Sequence, residues 1–82
     1  MINNNNLTLN ISKWLNNYID ENKIDIEEMA KKIKYSTDYL NVLLDYSKHL
    51  DKYKDENINV SVDFIMKISN TYNVKVDEIL KS

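Results

Sequence analysis

An all-α fold of five short helices is what this sequence predicts, on three observations. Apolar residues recur at helical spacing along most of the chain. Serine or aspartate stands immediately before three of the periodic runs, where an N-cap belongs. Glycine and proline are both absent from the 82 residues, so each helix boundary must be set by a cap or by a break in the pattern rather than by the usual turn residues. The length fits one domain. With 43% hydrophobic and 29% charged residues, the chain has apolar material for a single small core and is too rich in it for a disordered segment.

The opening residues 1–9 are polar and asparagine-rich, and asparagine is a poor helix former. A flexible tail is expected there, with the folded domain over residues 10–82. From Asn10 onward Ile11, Trp14, Leu15, Tyr18 and Ile19 follow i, i+3, i+4 spacing and define helix one. The polar run Asp20 to Lys23 ends it. Asp25, with Glu28 three residues later, resembles a capping box that starts helix two, whose buried stripe is Ile26, Met29, Ala30 and Ile33. Ser36 caps helix three, where Tyr39, Leu40, Leu43 and Leu44 face the core. The pattern fades in a charged stretch of about residues 48–59, expected to be a dispensable surface insertion or an extension of helix three. Ser61 caps helix four, with Val62, Ile65, Ile68, Ser69 and Tyr72 inward and Phe64 and Met66 at its sides. Asn73 is suited to the left-handed residue that closes it. The last short helix holds Asp77 and Glu78 in its first turn and docks Ile79 and Leu80.

Composition narrows the function. Without cysteine there are no disulfides, thiolate metal sites or cysteine nucleophiles. The one histidine, His49, has no second ligand at metal spacing and no serine arrangement beside it, and a phosphate-cradling glycine loop is ruled out. No catalytic residue, metal or cofactor is therefore expected, and the chain reads as a non-enzyme. No apolar run approaches the roughly 20 residues of a membrane span, so the expectation is a soluble cytoplasmic protein without membrane contact. The formal net charge is −2, and all eleven cations are lysine. That balance weighs against nucleic acid as a partner, and the absence of arginine removes the strongest bidentate reader of guanine.

The segment from Ile26 to Leu43, IEEMAKKIKYSTDYLNVL, resembles the helix-turn-helix of the Cro and lambda-repressor superfamily, the XRE family. Ala30 stands where two helices of that family approach closely, and Met29, Ile33, Tyr35, Leu40 and Leu43 match its buried positions. Ser61 to Ser69 and Asn73 to Leu80 look like its fourth helix and closing segment, so the resemblance spans roughly residues 10–80. Three departures stand out. Lys34 occupies the turn position usually held by glycine, Ile26 replaces a polar residue that touches the DNA backbone, and Leu44-Asp45-Tyr46 replaces a Glu-x-Gly.

The resemblance implies a compact lambda-repressor-like domain acting as a sequence-specific transcriptional regulator on double-stranded DNA, often as a homodimer. Helix three would enter the major groove with Thr37, Asp38, Asn41 and Val42 toward the bases. Asparagine pairs with adenine, threonine serves several bases, and aspartate accepts from cytosine. Lys31, Lys34, Ser36 and Lys48 would contact the phosphate backbone. Leu44, Tyr46, Leu50 and Phe64, if exposed together, would supply a self-association patch. The alternative is a protein-binding module on the same fold, such as a small phage-borne, anti-CRISPR-like inhibitor of a nucleic-acid-binding protein. The acidic side chains of helix three suit a basic protein surface.

Overall fold

A computed structural model describes residues 4–81. Among them the chain forms five α-helices and one 3₁₀ turn, with no strand. The helices are α1 (Asn4–Asn22), α2 (Ile26–Ile33), α3 (Thr37–Tyr46), α4 (Val62–Tyr72) and α5 (Val76–Leu80), and the 3₁₀ turn is Leu50–Tyr53. α1 packs on α3 and α5, while α2 packs on α3 and α4. Ile11, Leu15, Met29, Ile33, Leu40, Leu43, Phe64, Ile68 and Ile79 are buried where the five helices meet. No helix of the described residues is long and apolar enough to cross a membrane.

The caps form where the sequence places them, but the capping box expected of Asp25 and Glu28 does not close, because Glu28 pairs with Lys32 instead. Asp25 accepts from the Glu27 amide, Ser36 from the Tyr39 amide and Ser61 from the Phe64 amide, each satisfying an orphan donor of a first turn. Without glycine, three helix ends are closed by non-glycine residues in the left-handed region: Lys23 after α1, Lys34 after α2 and Asn73 after α4. Asn73 adopts that conformation at little cost, whereas each lysine costs about 1 kcal/mol or more.

Four further expectations need correction. The first helix starts at Asn4, not Asn10, because tertiary contacts overrule the weak propensity of the asparagines. Leu7 packs against the core, Thr8 is buried with its Oγ1 donating to the Ile58 carbonyl at 2.7 Å, and Asn10 Nδ2 donates to the Leu80 carbonyl at 3.2 Å. Residues 1–3 of the expected tail lie outside the described residues. In α4, Val62 is 74% exposed and Phe64 only 1%. Phe64 turns inward, where Tyr35 and Tyr39 both meet its ring in T-shaped contacts with centroids at 5.2 and 5.4 Å.

The stretch after α3 is not a bare excursion, since Tyr53 is buried and Ile58 packs on the core. Nor do the four proposed association residues form a patch. Leu44, Tyr46 and Phe64 are buried, which leaves Leu50 alone exposed.

Candidate nucleic-acid interface

α3 is fixed at both ends before any partner arrives. At its N-terminus α2 closes on Lys34 at φ 61°, ψ 42°, and the amides of Lys34 and Tyr35 both reach the Ala30 carbonyl. Ser36 then restarts helical geometry within the three-residue connection. Tyr35 ties this turn to α4: its hydroxyl donates to Asp63 at 2.8 Å and lies 3.1 Å from Ser61 Oγ. The hydrogen bond from Tyr35, aided by Lys67, holds the Asp63 carboxyl below its usual range. Tyr39 donates to the Asn59 carbonyl at 3.3 Å, and burial pushes its hydroxyl above the ordinary tyrosine value.

At the other end the last carbonyls of α3 need partners, as at any helix C-terminus. α3 carries no basic residue in its last turn. α1 supplies the donors instead. Ser12 Oγ donates to the Leu43 carbonyl and accepts from the Ser47 amide at 3.0 Å, and Asn16 Nδ2 reaches the Leu44 carbonyl at 2.9 Å. Ser12 is fully buried.

Between these anchors one face of α3 stays open. Asp38, Asn41, Val42 and Asp45 follow one another at i, i+3, i+4 and i+7 and line an open groove of about 600 Å³, together with Ile26, Leu44, Lys48, Lys52 and Tyr53. Three of the four predicted base-facing residues thus come together. Thr37 is half-buried and lies outside the groove lining. Of the predicted backbone contacts, Lys48 joins the groove, whereas Lys31, Lys34 and Ser36 are exposed elsewhere around α2 and the turn. Ser36 Oγ is already engaged as the cap of α3.

Two kinds of side chain are distinguished by their engagement. Among the described residues, Asp38 and Asn41 make no side-chain hydrogen bond, and Lys31, Lys34 and Lys48 make no ion pair. Lys32, Lys52 and Lys67, by contrast, pair with Glu28, Asp45 and Asp63 at 3.0, 3.2 and 3.4 Å. Asp45 is the most heavily engaged acid. Tyr53 donates to its Oδ2 at 2.6 Å, His49 Nδ1 lies 2.7 Å from Oδ1, and Lys52 reaches Oδ2 at 3.2 Å. These partners, the tyrosine first, hold the carboxyl down at about 2.

Sequence reasoning had no reason to join Tyr53 to α3. The i, i+4 spacing of Asp45 and His49 was the one available signal. Among the described residues no group of three or more histidine, aspartate or glutamate side chains is placed to hold a metal ion. Comparison with protein-family models, curated proteins and solved structures finds no match to this chain.

Proposed function

We propose that this chain is a helix-turn-helix DNA-binding regulator of the phage-repressor type, with α3 as the element that enters the major groove. The observation that carries the reading is Asn41. It sits at the middle of the open face of a helix anchored at both ends, it is exposed, and its amide has no intramolecular partner among the described residues. A polar side chain held on a rigid element with its hydrogen-bonding capacity unused is what direct readout of a base edge requires.

The charge objection is smaller than composition suggested. Asp45, one of the two acids on this face, is engaged by Lys52, His49 and Tyr53, while Lys48 beside it is unpaired among the described residues. Lys31, Lys34 and Lys48 are the phosphate contacts in this reading. Neither catalysis nor a cofactor has a part in it.

The experiment is a fluorescence-anisotropy titration against random and A·T-rich duplexes at several salt concentrations. Duplex affinity should fall with salt. Asn41→Ala should remove the preference for the favoured site and leave affinity for random duplex nearly unchanged. Lys34→Ala or Lys48→Ala should weaken all duplexes alike and reduce the salt slope by about one unit for each phosphate no longer neutralised.

A second reading is favoured by Asp38, an exposed acid on the groove with no cation paired to it, and by the net charge of −2. In that reading the same face docks a basic protein surface. No duplex would then bind at moderate salt, and Asp38→Lys would break the protein complex.

A further inference from the structure

We infer that the groove face of α3 reads a site centred on adenine with a cytosine in the neighbouring base pair, without a guanine contact, and that Asp45 reads no base. The inference rests on the DNA-binding reading above. Guanine presents two acceptors in the major groove, so its bidentate partner must offer two donors, as arginine or lysine does. α3 carries no cationic side chain over Thr37–Tyr46. Lys48 lies beyond its C-terminal end, about two turns from Asn41, and in the reading above it takes a phosphate rather than a base. The one side-chain amide on the helix, that of Asn41, pairs a donor with an acceptor, which matches N7 and N6 of adenine.

Asp38 stands three residues earlier on the same groove wall. Its carboxylate only accepts, so it selects an amino group. Adenine sets the N7 acceptor beside its amino group and repels a carboxylate there, whereas cytosine N4 has no such neighbour. Three residues advance about 4.5 Å along a helix, close to the roughly 3.4 Å step between stacked bases. The two side chains therefore meet adjacent base pairs. Asp45 lies on the same face one turn beyond Asn41, but three of its roughly four acceptor sites are taken, one on Oδ1 by His49 and two on Oδ2 by Tyr53 and Lys52. Only the second lone pair of Oδ1 is left for a base amino group, on a side chain that is 29% exposed and held in place by these three partners.

The test is affinity selection from a randomised duplex pool with the wild type, Asn41→Ala, Asp38→Asn and Asp45→Asn, followed by anisotropy on the selected duplex with 7-deazaadenine at the adenine position. The wild type should enrich adenine next to cytosine. Asn41→Ala should lose the adenine preference, with affinity for the selected duplex falling roughly 5- to 150-fold. Removing N7 should weaken the wild type and leave Asn41→Ala unaffected. Asp38→Asn should shift the cytosine position toward adenine, and Asp45→Asn should keep both preferences whatever its overall affinity. A selected motif built on guanine, indifference of the wild type to 7-deazaadenine, or loss of base preference in a folded Asp45→Asn overturns this assignment while duplex binding stands. Failure of the wild type to retain any duplex overturns the DNA-binding reading and this assignment together.

Discussion

Replacing Ser12 by alanine removes one oxygen from the junction of α1 and α3, and the structure allows the consequence to be worked out. The Ser12 hydroxyl donates to the Leu43 carbonyl, accepts from the Ser47 amide at 3.0 Å and lies 2.8 Å from the Ser47 hydroxyl, in a position with no solvent exposure. Alanine fits the space, so the loss is that of hydrogen-bond partners rather than of packing. Stripping a buried backbone donor or acceptor of its partner costs about 1–3 kcal/mol. Two such groups, partly relieved by Asn16 and Ser47 shifting, give about 2–4 kcal/mol. For a domain of this size that lowers the melting midpoint by roughly 10–30 °C.

Circular-dichroism melts and urea titrations of wild type, Ser12→Ala, Asn16→Ala and the double variant measure it. Both side chains meet at Ser47 Oγ, so the pair should couple by about 0.5 kcal/mol or more. A Ser12→Ala loss below about 0.5 kcal/mol, the range of ordinary surface changes, would refute the claim that α1 anchors the C-terminus of α3.

Three other perturbations test separate features. Ala30 is buried in α2, so Ala30→Leu should destabilise by about 1–3 kcal/mol through overpacking, and an unchanged thermal midpoint would place it on the surface instead. Lys34 holds a left-handed conformation, so Lys34→Gly should be neutral or stabilising by up to about 1 kcal/mol, whereas Lys31→Gly inside α2 should cost about 1 kcal/mol; equal losses from both would show that α2 continues through residue 34. Folding lowers the Asp45 carboxyl from 3.8 to about 2. Its contribution to stability is therefore whole above about 3.8 and fades as pH falls through 2. An NMR titration should find the low midpoint, and Tyr53→Phe should raise it; a midpoint near 4 in the wild type would mean that the Tyr53 and His49 contacts do not form in solution.

What could be read from the sequence was local. Ser36 and Ser61 announce their helices because a serine hydroxyl reaches a backbone amide three residues on, and that geometry needs no knowledge of the rest of the fold. The left-handed Asn73 is local in the same sense. α3 and its groove residues Asp38, Asn41 and Val42 followed from a period of 3.6 counted from the cap.

The misreadings concern contacts between distant segments. The asparagines before residue 10 are poor helix formers taken alone, yet Thr8 reaches Ile58 and draws that turn into α1. Val62 and Phe64 are equally apolar in pattern, and it takes the surrounding core, with the Tyr35 and Tyr39 rings, to decide which is buried. Tyr53 lies in a charged stretch with no periodicity, and its partner Asp45 is on the preceding helix. The same engagement of Asp45 removed an acid from the set available to a ligand, which residue spacing alone does not reveal.

The hydrogen bond from Asn10 to Leu80 has a bearing on the order in which the molecule can be assembled. It joins positions 70 residues apart, and α1 has α5 as one of its two principal neighbours. Synthesis runs from α1 toward α5, so the side of α1 that meets α5 waits longest for its cover, after the side that meets α3. At about 5–20 residues per second the 58 positions between Asn22 and Leu80 take roughly 3–12 s to make, far longer than the microsecond in which a helix can form. Within that interval α3 is complete by Tyr46, so the side of α1 that packs on α3 can be covered early, and the side that meets α5 is left for last. A chain halted before α5 would retain its caps and much of its helix while lacking the element that closes the core, which makes it a substrate for chaperones and proteases rather than a smaller version of the same fold.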